Sequence, residues 1–313
     1  MHKTDVNADL ISTVSSHESE RKPAIAAGVW NLAGQDIHRI GFGAKRLGGG
    51  GSTTSAEQVT DLLRRVVELG INHIDTAAFY PSVGRAGERH GFDSLDWAND
   101  AIRQALAPYP DDLVIATKVG PMEHGLARPD QLRGLVEDNL RQLGLETLDL
   151  VYLRQSGLES VAEHFGVLAE LRQAGLIRHL GLSNIRVEHL AQAQELGPVV
   201  AVQNRYGVGF GRVNDSMLEI CGAQGIAFVP FFAVTATGRE AGGVAESDPV
   251  ATIAREHGAT TAQIRIAWTL AKGPHVLAIP GTGNPTHLRE NVAAASIHLT
   301  ADQLATLDAI PSD

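Results

Sequence analysis

The sequence predicts an α/β fold, a single (β/α)8 TIM barrel, from three observations. The chain has 313 residues, of which 43% are apolar and 20% charged, a composition typical of a globular domain. From about residue 38 onward, short apolar runs alternate with longer amphipathic runs, and this happens eight times. No break in composition divides the eight units. One closed barrel therefore fits the chain better than two domains, since barrels of this kind commonly reach this length.

The short apolar runs are rich in Val, Ile and Leu without strict alternation, which is typical of parallel strands buried on both faces. The predicted strands cover residues 40–43, 71–75, 113–118, 148–153, 177–183, 199–203, 226–231 and 276–280. The stretch GVWNLAGQDIHRIGFG, which leads into the first strand, predicts a small N-terminal β-hairpin that closes the bottom of the barrel.

The amphipathic runs predict the helices between these strands. The predicted helices cover residues 55–69, 129–143, 160–174, 187–195, 214–223, 261–271 and 285–294. Ser55 is a suitable N-cap for the first helix, and Pro129 is placed for the first turn of the second. The glycines that follow helix ends, where a left-handed residue is favoured, are Gly70, Gly144, Gly175 and Gly225.

Composition also limits the partners and the compartment of the protein. The net charge is −10 and basic residues form no cluster, which argues against a nucleic-acid partner. No run reaches the roughly 18 apolar residues of a transmembrane helix. The single cysteine, Cys221, excludes a disulfide within the chain, so we expect a reducing cytoplasm and a small buried side chain. Residues 1–27 lack the apolar core of a signal peptide and are predicted to form a flexible tail before the barrel over 28–313.

Chemistry in such a barrel is expected at the C-terminal ends of the strands. Asp75 ends the second predicted strand and Tyr80 lies in the loop beyond it, while Lys118 and Arg154 end the third and fourth. A buried lysine needs a partner, and Asp75 can supply it. The cation would favour the phenolate form of Tyr80 and make its hydroxyl a better general acid near neutral pH. The alternative is that Asp75 caps the following turn and Lys118 is a charge at the rim.

The segments GINHIDTAAFY, VIATKVG, LGLSN, VQNRY and IPGTGNPTHLREN resemble the motifs of the aldo-keto reductase superfamily, in the family's order, over roughly residues 28–310. The resemblance implies that Tyr80 is a proton donor tuned by Lys118 and Asp75. The family's fourth strand usually ends in His, whereas this chain has Arg154. Arginine stays charged and only donates, so we expect Arg154 to orient a substrate carbonyl, a phenolic oxygen or a phosphate oxygen, and to stabilise charge on Tyr80.

One branch of this family, which includes bacterial pyridoxal reductases (pyridoxine 4-dehydrogenases), also has Leu-Arg at this position. The segments YPDDLVIATKVG, VPFF and the closing TLDAI are similar to the same branch. We therefore place the chain nearest to the pyridoxal reductase-like branch.

The resemblance further implies that NADPH is the cofactor. At the nicotinamide end, Ser183, Asn184 and Gln203 would bind the carboxamide, and Tyr206 would stack on the ring. The other residues that would lie beside this end are Gly43, Ala44, Asp75, Phe231 and Phe232.

At the adenosine end, a glycine-rich turn runs into a helix N-terminus, which suits a phosphate. The residues implied here are Pro280, Gly281, Thr282 and Gly283 at the phosphates, His287 near the 2′-phosphate, and Glu290 with Asn291 at the adenine. Many relatives have Arg where His287 stands, which weakens the expected preference for NADPH over NADH.

The chain departs from the family after Tyr80, where residues 81–97 form an insertion. An enlarged loop would reshape the pocket and favour a larger or different substrate, while the alternative is a solvated surface loop. The histidines are scattered, without a spacing such as HExxH, and predict no metal.

The leading function is therefore the reduction of a small-molecule carbonyl substrate, an aldehyde or a ketone, by hydride transfer from NADPH. The substrate would be pyridoxal-like or a carbonyl of a specialised natural-product pathway. Two alternatives stay open: a non-catalytic nicotinamide-binding regulatory subunit, as in the similar potassium-channel β subunits, and a barrel recruited for a non-redox reaction. We expect a monomer or a weak homo-oligomer.

Overall fold

The computed structural model describes residues 22–47, 55–80, 97–231 and 248–312. Its strands are β1 (Val29–Leu32), β2 (Gln35–His38), β3 (Phe42–Gly43), β4 (His73–Asp75), β5 (Val114–Val119), β6 (Pro121–Met122), β7 (Gly125–Leu126), β8 (Leu148–Arg154), β9 (Ile177–Ser183), β10 (Val199–Gln203) and β11 (Ala227–Phe228). Its α-helices are α1 (Ala56–Glu68), α2 (Ala98–Leu106), α3 (Leu132–Leu143), α4 (Ala162–Gln173), α5 (Val187–Gln194), α6 (Asp215–Gln224), α7 (Asp248–Glu256), α8 (Thr261–Ala271), α9 (Pro285–Ala293) and α10 (Ala301–Asp308).

Seven strands form one parallel sheet in the order β11-β10-β9-β8-β5-β4-β3, and the segment 276–280 closes it into a barrel. On one side of that segment, the Leu277 N–H donates to the Phe228 carbonyl at 2.9 Å. On the other side, the Gly41 N–H donates to the Ala278 carbonyl at 2.8 Å. The predicted barrel is therefore confirmed, although the last strand pairs only through isolated bridges.

The predicted N-terminal hairpin is confirmed as well. β1 and β2 pair antiparallel, and their side chains Leu32 and Ile37 join the apolar cluster inside the barrel. Asn72, just before β4, fixes the hairpin: it accepts from the His38 N–H at 2.8 Å and donates to the Asp36 carbonyl at 3.0 Å. The N-terminal end of the barrel is thereby filled, which leaves the opposite end for a ligand.

The helix ends follow the predicted signals. Ser55 caps α1 in a capping box with Gln58, and Gly144 and Gly225 end α3 and α6 in the left-handed conformation, each with φ of +68°. The prediction omits α2, α7 and α10. Each of these has only eight or nine residues. Among the described residues, none of the helices combines the length and the apolar character needed to cross a membrane.

Part of the predicted flexible tail is ordered. Residues 23–27 form a 3-10 helix in which Ala24 is fully buried, and its N–H donates to the Leu69 carbonyl at 3.1 Å. Residues 23–27 therefore dock on the barrel, which a short apolar segment can do without any strand or helix signal. Residues 1–21 lie outside the described ranges.

The prediction that Cys221 is buried is confirmed. Cys221 lies on α6 with no exposed surface, and burial raises the pKa of its thiol to about 12. The thiolate is therefore scarce at neutral pH, which makes Cys221 a structural side chain.

Candidate active site

A buried ion pair lies at the C-terminal ends of three strands. Lys118 Nζ on β5 is 2.5 Å from Asp75 Oδ1 at the end of β4, and the two side chains are 1% and 5% exposed. Lys118 also donates to the Thr76 carbonyl at 3.0 Å, and Gln203 Nε2 on β10 donates to Asp75 Oδ2 at 2.7 Å. These hydrogen bonds compensate the desolvation of the two charges. The alternative of a rim charge is wrong for Lys118, because its side chain is buried.

Tyr80 lies next to this pair. Its ring is 8% exposed, and its centroid is 5.0 Å from Lys118 Nζ. The edge of Phe79 packs against the ring at 5.1 Å, and the Ala98 N–H holds the Tyr80 carbonyl at 2.8 Å. The structure thus brings together Asp75, Tyr80 and Lys118, which the sequence predicted as one constellation at the strand ends.

Arg154 ends β8 at the same mouth of the barrel. It pairs in register with Ser183 of β9, and its guanidinium carbon lies 5.4 Å from the centroid of the Phe231 ring. Arg154 is only partly buried. A guanidinium over an aromatic face is held in orientation while its N–H groups stay available to a ligand oxygen.

Two polar rings lie deeper in the barrel, and the sequence analysis did not single them out. His73 and Tyr152 are buried, and neither the His73 nitrogens nor the Tyr152 hydroxyl has a hydrogen-bond partner in the described part of the chain. Burial lowers the pKa of His73 to about 4, with Asp75 opposing the shift and Lys118 adding to it. Burial, with the charge of Asp75, raises the pKa of Tyr152 well above its ordinary value. Both rings are therefore neutral at pH 7.

The predicted nicotinamide residues Ser183 and Asn184 lie at the end of β9. Ser183 is fully buried, and its hydroxyl has no partner among the described residues. Asn184 has φ of +61°, a left-handed conformation that Asn tolerates, and its Nδ2 donates to the Gln155 carbonyl at 3.1 Å. An unpartnered buried hydroxyl is costly, so the Ser183 position suits a polar group of a bound ligand.

The predicted stacking role of Tyr206 is not supported by its position. Its ring is 1% exposed and stacks on Trp268 of α8 at 5.6 Å, while its hydroxyl donates to Asp215 at 2.6 Å. Tyr206 follows β10 by three residues and packs between the sheet and the helices, with Phe228 against it. We therefore remove Tyr206 from the predicted cofactor contacts.

The glycine-rich turn after the last strand packs directly on the end of the first. The Gly43 N–H donates to the Pro280 carbonyl at 3.3 Å. A Cβ atom on Gly43 would lie 2.6 Å from the Ile279 carbonyl, and one on Gly281 would meet the Gly43 carbonyl. Only glycine fits at both positions, and the neighbouring Ala44 is buried in the same contact.

A cavity of about 820 Å³ opens beside this turn. Asn284 caps α9, since its Oδ1 accepts from the Thr286 N–H at 2.8 Å, and Thr282 Oγ1 accepts from the Asn284 N–H at 3.0 Å. Such a helix N-terminus favours an anion. The predicted residues that line the cavity are Gly281, Thr282, Gly283, His287, Glu290 and Asn291.

The same cavity has walls that the sequence analysis missed. They are formed by Arg46 after β3, Gln58 of α1, and the start of α8 at Thr260. The position of Arg46 just after the end of β3 is the one sequence feature that could have predicted its place in the cavity wall. Phe232 and residues 81–96 of the predicted insertion lie outside the described ranges. Within those ranges, no group of three or more His, Cys, Asp or Glu side chains is placed to hold a metal ion.

Comparisons with known proteins agree with this geometry. The model of the Aldo/keto reductase family matches residues 39–311. Pyridoxine 4-dehydrogenase of Escherichia coli (strain K12) is 37% identical over 305 residues, which are 91% of this chain and 99% of that protein.

Solved structures extend the likeness to the fold. The thermostable aldo-keto reductase Tm1743, in complex with the inhibitor epalrestat, aligns with a TM-score of 0.73 and 30% identity over 90% of this chain and 98% of that one. An aldo/keto reductase from Klebsiella pneumoniae in complex with NADP and acetate aligns with a TM-score of 0.71 and 26% identity over 89% of this chain and 93% of that one. From the family match and these relatives, the chain belongs to the aldo/keto reductase family and is an oxidoreductase.

Proposed function

We propose that this protein reduces an aldehyde or a ketone with NADPH and that Tyr80 donates the proton. The observation that carries the proposal is the buried Lys118–Asp75 pair with Lys118 Nζ 5.0 Å from the centroid of the Tyr80 ring. A buried cation has a structural cost, and placing that cation beside the ring of the proposed proton donor gives it a role in catalysis.

The residues present fit a dinucleotide. The unpartnered hydroxyl of Ser183 offers a hydrogen bond to the carboxamide, with Asn184 and Gln203 beside it. The cavity next to Gly281 and the N-terminus of α9 suits the phosphates. Phe231, Gly43 and Ala44 would border the nicotinamide end, while His287, Glu290 and Asn291 would hold the adenosine end. NADPH supplies the hydride when it is bound.

The protein's own groups would handle the proton and the charge. The Tyr80 hydroxyl donates to the carbonyl oxygen as negative charge develops there, and Lys118 stabilises the phenolate that remains. Asp75 holds Lys118 in place, and Gln203 fixes the carboxylate of Asp75 from the other side. Arg154 takes the position of the usual His and would hold the substrate oxygen, because it donates but does not release a proton.

We propose a pyridoxal-like aromatic aldehyde as the substrate. The relative from Escherichia coli is named as a pyridoxine 4-dehydrogenase, and the likeness covers 99% of its length. Arg154 supports the same assignment, because the resembling branch also has Leu-Arg at this position. The insertion at 81–97 favours an alternative substrate, a carbonyl compound of a natural-product pathway. A monomer or weak homo-oligomer in the cytoplasm stays a prediction.

The test is an NADPH-oxidation assay with pyridoxal and a panel of aldehydes and ketones, on the wild type and on Tyr80→Phe. We expect turnover by the wild type and a loss of at least about 100-fold in Tyr80→Phe, the usual contribution of a general acid. Tight NADPH binding without turnover of any carbonyl would instead support a regulatory subunit. Product analysis with labelled NADPH would reveal a non-redox reaction, since no label would reach the product.

A further inference from the structure

A buried polar network lies on the outer side of the sheet, directly behind the Lys118–Asp75 pair. Thr76 and Thr117 are next in sequence to Asp75 and Lys118, and their side chains bond to two helices instead of facing the barrel axis. Thr76 Oγ1 donates to Asn99 Oδ1 of α2 at 2.8 Å, and Thr117 Oγ1 donates to Asn139 Oδ1 of α3 at 2.5 Å. All four of these network side chains have no exposed surface.

The two asparagines also bond to each other and to further groups of α3. Asn99 Nδ2 donates to Asn139 Oδ1 and to Gln142 Oε1, each at 3.0 Å. Asn139 Nδ2 donates to the Leu135 carbonyl at 2.8 Å. The network is thus anchored to α2 and α3, and a buried amide that lost one of these partners would leave others unsatisfied.

We propose that Asn99 and Asn139 are positioning residues for the reaction, an inference that rests on the proposed function. Side chains alternate between the two faces of a strand, so Asp75 and Lys118 point into the barrel while Thr76 and Thr117 point toward the helices. The network therefore fixes the strand backbone that carries the ion pair. The Thr76 carbonyl is itself a hydrogen-bond acceptor for Lys118 Nζ, at 3.0 Å. A displacement of Thr76 or Thr117 therefore moves one partner of the ion pair.

The network reaches Tyr80 by a second route. Asn99 follows Ala98 in the first turn of α2, and the Ala98 N–H donates to the Tyr80 carbonyl at 2.8 Å. Asn99 therefore links the backbone of the proposed proton donor to that of Asp75, while Asn139 links the same network to Lys118. The network of Asn99 and Asn139 therefore contacts the backbone segments of all three proposed catalytic residues, Asp75, Tyr80 and Lys118.

The experiment compares Asn139→Ala and Thr117→Val with the wild type. Thr117→Val keeps the shape of the side chain and removes only the donor to Asn139, so it tests the proposal even if Asn139→Ala folds poorly. We expect kcat to fall about 10-fold to 100-fold in both, as for small displacements of catalytic groups. Kd for NADPH should change little, because none of the four network residues lines the cavity beside Gly281. In a crystal structure of Thr117→Val, the distance from Lys118 Nζ to the Thr76 carbonyl should exceed 3.0 Å.

Asn72→Ala is the matched control, since Asn72 is a buried amide that precedes β4 at the opposite end of the barrel. It should lower the Tm and leave kcat unchanged. The inference is overturned if both network variants fold and keep kcat within about twofold of the wild type, or if Asn72→Ala lowers kcat as much as they do. A wild type that turns over no carbonyl would instead overturn the proposed function.

Discussion

Gln203 donates a hydrogen bond of 2.7 Å from Nε2 to Asp75 Oδ2, across the barrel from the lysine that holds Oδ1. The two oxygens of Asp75 are thus bound by a group from β5, which pairs with β4, and by a group from β10, which lies across the barrel. A carboxylate held at both oxygens keeps its orientation, and the lysine it pairs with keeps its own. Gln203 therefore supports the ion pair in addition to its predicted contact with the cofactor.

Replacing Gln203 should lower kcat/KM, and the loss should be larger for the substitution that disturbs the Asp75 carboxylate more. Gln203→Met removes the donor at similar length, and we expect kcat/KM to fall about 10-fold, the cost of about one charge-assisted hydrogen bond. Gln203→Glu places a second carboxylate against Asp75, where two like charges resist ionising together, so its loss should be greater. Steady-state kinetics at pH 7 measures both losses. Equal activity of the two variants would contradict a role for the neutral donor.

Arg154 should be replaceable by His only at acid pH. An arginine side chain carries its charge at all ordinary pH values, whereas an unperturbed His loses its proton near pH 6.5. If the charge holds the substrate oxygen, Arg154→His should lose activity as the pH rises through this value. The pH profile of kcat/KM would show the loss. Arg154→Lys is the control, because it keeps the charge through the same range, and a profile of Arg154→His that matches it would argue against an electrostatic role.

The close contact between Gly43 and Gly281 predicts that Gly281→Ala lowers the stability of the protein, whereas alanine at an uncrowded glycine does not. In Gly281→Ala the new Cβ would meet the Gly43 carbonyl, so the turn must shift. We expect a loss of about 1–3 kcal/mol in unfolding free energy and weaker NADPH binding. Urea denaturation and a fluorescence titration with NADPH measure the two effects.

Gly134→Ala is the control for this substitution. Gly134 lies exposed within α3, and a Cβ there would have no atom within 4 Å. The variant should be about 0.5–1 kcal/mol more stable than the wild type, because alanine loses less backbone entropy in a helix. NADPH binding should be unchanged. A Gly281→Ala variant as stable as Gly134→Ala would show that the turn has room which the structure does not indicate.

The barrel and the ion pair could be predicted from sequence because both depend on regular patterns. Apolar runs give the strands, and a parallel barrel brings the last residue of each strand to one end. Asp75 and Lys118 could thus be placed together without any knowledge of distance. The N-cap at Ser55 and the left-handed glycines were predictable for the same reason, since they depend on local geometry alone.

Contacts that depend on side-chain direction were less predictable. Tyr206 lies close in sequence to Gln203, yet it packs outward on Trp268, because beyond a strand end the alternation of faces no longer applies. Arg46 and Gln58 line the cavity beside Gly281, although they come from segments that carry no motif. The network of Asn99 and Asn139 joins two helices, and no periodicity in the sequence indicates which helices are neighbours.

His73 should make the protein sensitive to mild acid. In the folded state burial keeps the pKa of His73 at about 4, against an ordinary value of 6.5. Between these values only the unfolded chain takes up the proton, so the stability due to His73 is complete above about pH 6.5 and is lost as the pH falls toward 4. The loss should approach about 3 kcal/mol of unfolding free energy, from 1.36 kcal/mol for each pKa unit.

His73→Phe isolates this contribution, because phenylalanine fills a similar volume and binds no proton. Urea denaturation of both proteins at pH steps from 7 to 4 gives the two stability curves. The wild type should lose more stability than His73→Phe over this range, while other buried histidines such as His275, whose pKa is also lowered by burial, affect both proteins equally. Parallel curves would mean that His73 is protonated in the folded state, and the barrel interior beneath Asp75 would then have to accommodate a second cation.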